Sequence, residues 1–188
     1  RTGLLRIDRS DQCALKDKLD LQTGFVDAML ESHSDTMSLL KQHFRKAKTG
    51  SLKAADFSHL AANYKIVHEL IKYARRQGEP GVNVLLYAPP GTGKTELARL
   101  IARRTGLHSF EVSDTTEEKN FRHATDRLSA YQLSQSVLEN KKGAMLIFDE
   151  VEGVFESEVN PFFGPVSTGT RRKSQTNRLL EENPVPAI

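Results

Sequence analysis

Hydrophobic residues in the first half of the chain recur at helical intervals. From Leu15 to Phe44 their spacing, with a polar break at 32–34, predicts two short amphipathic helices. A second stripe predicts one helix over 56–76, capped by Asp56; its apolar members are Leu60, Tyr64, Val67 and Ile71. Between these helices the polar, basic stretch 46–53 contains Gly50, and we predict that it is a linker.

The second half of the chain alternates short apolar runs with helical stripes. The runs predict strands over 82–87, 109–113 and 144–148, the first of them covered on both faces. Helices are predicted between and after them over 94–106, 128–138 and 176–182, the last leading into the start of a further strand at 184–188. Strands that alternate with helices in this way predict an α/β fold, with a parallel sheet covered by helices on both faces.

Composition indicates a folded globular protein with room for one core domain and an appendage. The chain has 188 residues, of which 38% are hydrophobic and 27% charged, and this balance excludes a disordered or low-complexity chain. Cys13 is the one cysteine, so no disulfide can form within the chain, and we expect a reducing, cytoplasmic setting. The apolar runs are far shorter than the roughly 20 residues that span a bilayer, so we expect no membrane partner.

The charge balance gives little support to a nucleic-acid partner. The 27 Lys and Arg exceed the 24 Asp and Glu by three, which is a modest surplus for this length. No basic stripe with interleaved aromatic residues occurs. The six histidines are scattered without metal-ligand spacing, so we also expect no structural zinc site.

A phosphate-binding loop is the strongest chemical signal in the sequence. Small residues let backbone N–H groups point at an anion, and Gly91 and Gly93 permit the necessary dihedral angles. Lys94 can reach the outer phosphates of a nucleotide, and Thr95 can offer its hydroxyl to magnesium at the start of a helix. Alanine stands where the strict pattern has a first glycine, which we take as a tolerated departure. The loop comprises Ala88, Pro89, Pro90, Gly91, Thr92, Gly93, Lys94 and Thr95.

Two acidic residues follow the predicted strand 144–148. Asp149 and Glu150 would lie at the carboxyl end of that strand, and this edge of an open α/β sheet is where ligands bind. Asp149 is suited to hold magnesium through water, and Glu150 is suited to polarise the water that attacks a terminal phosphate. Together with the phosphate loop, the pair indicates a nucleotide hydrolase.

Taken together, the loop 89–95 and the strand ending in Asp149 and Glu150 resemble the hallmark of the AAA+ ATPases. The resemblance extends over 56–188. It implies a three-layer αβα fold of P-loop NTPase type, with ATP and Mg²⁺ as cofactors held by residues 88–96, Glu96 included. A narrower similarity to bacterial AAA-type proteins of unassigned role rests on 81–87, 129–131 and 177–184.

The family further implies a ring of subunits, usually six, that uses ATP hydrolysis to remodel a macromolecular client. We expect a homo-oligomer whose client is a protein rather than nucleic acid. Phe121 is the nearest candidate for a client-gripping aromatic residue in the central pore, although a single Phe before a helix is more often a core anchor. The loop 156–173, which includes a basic triplet at 171–173, is either a solvated excursion or a contact surface for a neighbour.

The resemblance also predicts how the chain is divided. We expect a helical appendage and linker at 1–50 and a nucleotide-binding core at 51–188 that stops before the residues of the family's sensor strand, arginine finger and helical lid. We therefore expect this stretch alone to hydrolyse ATP poorly.

Two other functions are compatible with a phosphate loop. A small-molecule kinase also uses one, but it activates a substrate hydroxyl and does not require a base such as Glu150 for water. An ATP-gated binding or scaffold module would bind nucleotide without turnover. Glu150 favours the hydrolase over the kinase, and turnover in the complete protein would distinguish the hydrolase from the scaffold.

Overall fold

Two short strands near the start of the chain replace part of the predicted helical appendage. The computed structural model describes residues 5–7, 19–21, 40, 43–113, 124–151, 154, 159–160, 164–165 and 176–188. β1 (Leu5–Ile7) pairs antiparallel with β2 (Leu19–Leu21), with Leu5 opposite Leu21. The prediction of helix is therefore wrong at 19–21, and the helical character of the other residues before 40 lies outside the described part.

A mixed three-stranded sheet forms the centre of the described fold. Its order is β3 (Phe44–Lys46), β4 (His108–Val112) and β5 (Ala144–Ile147). β4 runs parallel to β5, whereas β3 runs antiparallel to β4 with Phe44 opposite Val112. β4 and β5 confirm two predicted strands to within a residue.

β3 corrects the expectation of an all-parallel sheet. Phe44 is buried while Arg45 and Lys46 are exposed, and the Ala47 amide continues the pairing by donating to the Ser109 carbonyl at 2.9 Å. Pairing with β4 therefore decides the conformation of residues 44–46, although Phe44 also completes a helical spacing in the sequence.

Two further segments extend the sheet beyond β5. The Leu146 amide donates to the Pro186 carbonyl, and the Ile188 amide donates back to Leu146, both at 2.9 Å. On the other side of 186–188, Ala187 exchanges hydrogen bonds of 2.9 and 3.0 Å with 82–84. Both bridges are parallel. The predicted strand start after Pro184 is thus confirmed, and it lies between β5 and 82–84.

The prediction that 82–87 is covered on both faces is wrong. Val82, Val84 and Leu86 pack against the core, but the side chains of Leu85 and Tyr87 are 74% and 91% exposed. In the described part of the chain this segment borders the sheet, and the face that carries Leu85 and Tyr87 is not covered.

Helices cover the two faces of β5. A 3-10 helix (Ala54–Leu60) leads into α1 (Ala61–Gln77), α2 (Lys94–Thr105) follows the phosphate loop, and α3 (Ala124–Leu138) precedes β5. Met145 and Ile147 pack with residues of α1 and α2, whereas Leu146 packs with α3. Because successive side chains of a strand point to opposite faces, β5 contributes to two hydrophobic cores, one on each face of the sheet.

Helix ends follow the sequence signals closely, but two helix starts do not: α1 begins at Ala61 instead of 56, and α3 begins at Ala124 instead of 128. α2 ends at Thr105 and is capped by Gly106, whose φ of 68° lies in the left-handed region, and residues 176–181 are helical as predicted. Asp56 is not an N-cap: it lies within the 3-10 helix, where its carboxylate accepts the Lys53 amide at 2.7 Å.

Residues 114–123 lie outside the described part of the chain, so the role of the pore candidate Phe121 remains a prediction. Within the loop 156–173, β6 (Val159–Asn160) pairs antiparallel with β7 (Gly164–Pro165), and its other residues fall outside the description. Among the helices that the structure describes, none has the length and apolar character needed to cross a membrane.

Candidate functional site

The phosphate loop connects the sheet segment 82–84 to the start of α2. Gly91 and Gly93 have φ values of 78° and 86°, in the region that a side chain disfavours. The Thr92 hydroxyl donates to the Pro89 carbonyl at 2.8 Å and braces the turn. Both glycines therefore occupy the conformations expected from the sequence for a loop that wraps an anion.

Lys94 lies back along the loop itself. Its Nζ donates to the carbonyls of Ala88 and Pro89 at 2.8 and 3.2 Å. The first helical hydrogen bond of α2 runs from the Leu97 amide to the Gly93 carbonyl at 2.8 Å, so the amides just before Leu97 have no partner within the helix. An ammonium group and a helix N-terminus thus converge on the mouth of the loop, which suits an anion.

Thr95 and Asp149 meet across 54 positions of sequence. The Thr95 hydroxyl donates to Oδ2 of Asp149 at 2.5 Å. They meet because 82–84 and β5 both run parallel to 186–188, so the loop after one strand and the acidic pair after the other lie at the same edge of the sheet. The structure therefore brings together the two residues predicted to hold a metal ion.

Glu150 lies next to this pair in an unusual backbone conformation. Its φ is 52°, the one positive value among the non-glycine residues that the structure describes. Its amide donates to Oδ1 of Asp149 at 3.0 Å, and its side chain is exposed. The carboxylate is accordingly accessible to water at the edge where the phosphate loop opens.

Glu96 turns away from the loop and binds the predicted linker. Its Oε2 accepts the amides of Ser51 and Leu52 at 2.7 and 3.2 Å, and its Oε1 accepts from Arg99 at 2.9 Å. The Leu52 amide and the Arg99 guanidinium hold the pKa of the Glu96 carboxyl below its usual value. Glu96 thus contacts protein on its carboxylate, whereas the resemblance implied contact with a nucleotide.

A chain of charges leads from Glu96 into the sheet. Arg99 donates to Oε1 of the buried Glu111 through both Nε and Nη2, at 2.9 and 2.5 Å. Arg45 approaches the other oxygen of Glu111 at 3.6 Å. The two carboxylates raise the pKa of Arg99 against the opposing effect of burial. The start of α2 is therefore fixed to β4 and β3.

Three residues at the site were not identified from the sequence. Phe57 and Leu52 lie behind Gly93, where a Cβ would fall 3.5 Å from the Phe57 ring. Arg127 donates to the carbonyls of both Asp149 and Glu150. Phe57 carries no sequence signal beyond its apolarity. Arg127 lies just before the predicted helix 128–138, but it precedes Tyr131 by one helical turn, and that spacing could have indicated it.

The donor set at this edge fits magnesium better than a transition metal. Within the described ranges, no three His, Cys, Asp or Glu residues are grouped so as to hold a metal ion. The hydroxyl of Thr95 and the carboxylate of Asp149 supply two hard oxygen ligands, and magnesium commonly combines few protein ligands with waters and substrate phosphates.

Three relatives show the range of proteins to which the chain is similar. The replication factor C large subunit of Sulfolobus acidocaldarius is 37% identical over 42% of the chain. The 26S proteasome regulatory subunit 7 homolog B of Arabidopsis thaliana is 33% identical over 44% of it. The ATP-dependent zinc metalloprotease FtsH of Mycoplasmoides gallisepticum is 27% identical over 85% of it. The matched part is only 18% of the length of the replication factor C subunit, 18% of that of the proteasome subunit and 21% of that of FtsH.

A family comparison covers the site itself. Residues 84–182 match the family described as "ATPase family associated with various cellular activities (AAA)", and this range contains the phosphate loop, Asp149 and Glu150. Since the match extends over more than half of the chain, the protein belongs to the AAA family of ATPases.

Proposed function

We propose that this chain is the nucleotide-binding core of an enzyme that hydrolyses ATP. The observation that carries the proposal is the 2.5 Å contact between the hydroxyl of Thr95, at the end of a glycine-rich loop, and the carboxylate of Asp149, at the end of β5. This contact brings hard oxygen ligands to the mouth of an anion-binding loop, which is the arrangement that a magnesium–nucleotide complex requires.

In this proposal the loop 88–96 binds the phosphates. Lys94 would exchange its hydrogen bonds to the loop carbonyls for stronger ones to phosphate oxygens. The amides at the start of α2 would complete the cradle. Glu96 would contribute indirectly, because its carboxylate is already bound to the amides of Ser51 and Leu52.

Magnesium, when bound with ATP, would neutralise charge on the phosphates. Thr95 and Asp149 would hold it, Asp149 through water. Glu150 would orient the attacking water and accept its proton, which is consistent with its exposed carboxylate beside Asp149.

The wider expectations from the sequence are part of the same proposal. Helices packed on the two faces of β5 support a three-layer αβα fold of P-loop NTPase type for 51–188, and β3 (Phe44–Lys46) joins its sheet from the predicted appendage 1–50. Membership of the AAA family supports an oligomer, and we extend the proposal to a cytoplasmic homo-oligomer, a ring of six subunits in the whole protein, that remodels a protein client.

Calorimetric titration of ATP and magnesium tests the binding site. Lys94→Ala should weaken ATP affinity at least about tenfold because it removes charge-assisted hydrogen bonds to phosphate. The matched control is Lys65→Ala, which removes an exposed lysine from α1 and should leave affinity unchanged. Equal affinity of Lys94→Ala and the wild type would reject the site.

Phosphate release separates hydrolysis from the two alternatives. In a chain extended past Ile188, Glu150→Gln should retain ATP affinity and lose turnover, trapping ATP. Binding without turnover in the wild-type extended chain would support the ATP-gated scaffold instead. Phosphate transfer to an added hydroxyl compound that persists in Glu150→Gln would support the kinase.

A further inference from the structure

Arg127 binds the backbone carbonyls of the acidic pair, Asp149 and Glu150. It projects from α3 and is only 8% exposed. Nη1 donates to the Glu150 carbonyl at 2.6 Å, and Nη2 donates to the Asp149 carbonyl. One planar guanidinium group therefore binds two consecutive carbonyls through two separate nitrogens, whereas a lysine ammonium has a single nitrogen from which to reach both.

The peptide that Arg127 binds needs support. Glu150 has a φ of 52°, which side chains with a Cβ disfavour, and the residue is neither glycine nor asparagine. Such conformations persist where surrounding contacts impose them. The two hydrogen bonds from Arg127 fall on the carbonyls on each side of this φ, so they fix the strained turn directly.

The conformation of this turn determines where the Asp149 carboxylate points. Oδ1 accepts the Glu150 amide at 3.0 Å, and Oδ2 accepts the Thr95 hydroxyl at 2.5 Å. If the 149–150 peptide rotated, the amide that holds Oδ1 would move, and Oδ2 would lose its alignment with Thr95. The link from Arg127 to the predicted metal position therefore passes through the backbone of 149–150.

Arg127 is itself held in place. Its Cζ lies 4.9 Å from the centroid of the Phe148 ring, and this ring stacks on Tyr131 with centroids 5.1 Å apart. Tyr131 lies one turn after Arg127 on α3, so the helix, the ring and the guanidinium form one packed unit. This packing preorganises the guanidinium and keeps it from turning out into solvent.

We propose that Arg127 is a positioning residue for magnesium–nucleotide binding: it imposes the strained turn at Glu150 and so aims Asp149 at Thr95. Arg127 does not touch the nucleotide or the metal in this proposal, and it acts through the 149–150 peptide. The functional half of the inference, an effect on magnesium–nucleotide binding, rests on the proposed function. The structural half, that Arg127 holds the turn at Glu150, concerns the nucleotide-free chain.

Amide hydrogen exchange in the nucleotide-free chain tests the structural half. Arg127→Met should raise the exchange rates of the 149–151 amides about tenfold and leave those of 144–147 within about twofold, because β5 keeps its ladder. Arg127→Lys, which retains the charge but has a single donor nitrogen in place of the planar fork, should give an intermediate rate. The matched control, Arg178→Met, removes an exposed arginine that pairs with Glu182 and should change neither set.

ATP affinity measured with magnesium and with a chelator tests the functional half. Arg127→Met should lower affinity about tenfold in magnesium and by less than about twofold in the chelator, since the loop and Lys94 are untouched. Arg127→Lys should recover part of the ATP affinity in magnesium. This variant also serves as the test if Arg127→Met fails to fold.

Two results would overturn the proposal. One is unchanged exchange at 149–151 in the Arg127 variants. The other is an unaltered magnesium gain, meaning the ratio of ATP affinity with magnesium to ATP affinity with the chelator; an equal loss in both media would give this result and would indicate general destabilisation. A wild-type chain that shows no magnesium gain would reject the proposed function as well, whereas faster exchange at 149–151 alone would still show that Arg127 holds the turn.

Discussion

The backbone amide of Ser51 donates to Oε2 of Glu96 at 2.7 Å and so fixes the predicted linker to the first turn of α2. The Leu52 amide donates to the same oxygen, while Arg103 donates to the carbonyls of Gly50 and Leu52, each at 2.8 Å. The stretch 50–52 is therefore tied at both its amides and its carbonyls to the helix that follows the phosphate loop.

Replacing Glu96 should change how stability depends on pH. The folded-state pKa of Glu96 is lowered, chiefly by the Leu52 amide. The ionised carboxylate therefore contributes to the free energy of unfolding above its unfolded-state pKa of about 4.3, and this contribution is lost as pH falls through the folded-state pKa. Glu96→Gln should cost about 1 kcal/mol at neutral pH because a charge-assisted acceptor becomes neutral. Denaturant unfolding of both proteins between about pH 3 and pH 7 measures this, since that range brackets the ordinary Glu value.

The curves should converge at the acid end of that range. Glu139→Gln provides the control, since it removes an exposed carboxylate just beyond the end of α3 and should leave the acid dependence as in the wild type. A constant difference between Glu96→Gln and the wild type at every pH would mean that ionisation of Glu96 contributes nothing.

Two glycines with similar dihedral angles should respond very differently to alanine. At Gly81, φ is 75° and a Cβ would fall 2.6 Å from the Glu181 carbonyl oxygen. At Gly78, φ is 66° and a Cβ would have no neighbouring atom within 4 Å. Gly78→Ala should cost about 1 kcal/mol from the left-handed conformation alone, and Gly81→Ala about 3 kcal/mol because backbone must also move.

Chemical denaturation of the two variants measures this difference. The Gly81 amide donates to the Asn183 carbonyl at 2.9 Å, which holds Gly81 close to the backbone of Glu181. A clash between an alanine Cβ and the Glu181 carbonyl oxygen would therefore open the contact between 81–83 and the end of the chain. Equal losses in the two variants would show that the neighbouring backbone yields without penalty.

The interior elements could be predicted because their patterns are local. The apolar run 144–148 and the inner stripe of α2 each lie between clear breaks, and the structure places β5 and α2 within a residue or two of those positions. The loop and the acidic pair could be assigned to one sheet edge because parallel strands with helical crossovers bring their carboxyl ends together.

What the sequence could not predict depends on contacts between distant residues. An apolar run does not reveal whether it lies inside a sheet or at its border, so the exposure of Leu85 and Tyr87 was missed. A single arginine on a helix does not reveal which carbonyls it binds, and a carboxylate beside a phosphate loop does not reveal that it binds Ser51 instead. Such pairings follow from the packing of whole elements.

The exposed border of the sheet gives a simple test of the fold. Leu85→Ala should change stability by less than about 0.5 kcal/mol, because the side chain is 74% exposed. Leu100→Ala on α2 removes the same atoms from a side chain that is 1% exposed and should cost about 2–5 kcal/mol. A loss above about 2 kcal/mol in Leu85→Ala, measured by thermal or denaturant unfolding, would mean that another layer covers this face.

Tyr131 should limit stability at alkaline pH. It is 2% exposed, and burial raises its pKa to about 12, against the opposing effect of the hydrogen bond from Gln135 at 3.1 Å. Because the folded pKa lies above the unfolded value of about 10, the neutral hydroxyl contributes stability that is complete below pH 10 and is lost as pH rises toward 12.

Tyr131→Phe should cost about 1 kcal/mol at neutral pH, because the variant lacks the hydrogen bonds to Gln135 and Asn83. As pH rises above 10, the variant should lose less stability than the wild type, because it has no hydroxyl to ionise at this position. Denaturant midpoints across the alkaline range, followed together with the ultraviolet absorbance of tyrosinate, measure both effects. Tyr87→Phe removes a hydroxyl from a residue that is 91% exposed and serves as the control for a surface tyrosine. Parallel alkaline losses in the wild type and Tyr131→Phe would show that ionisation of Tyr131 is not what opens the core between α3 and β5.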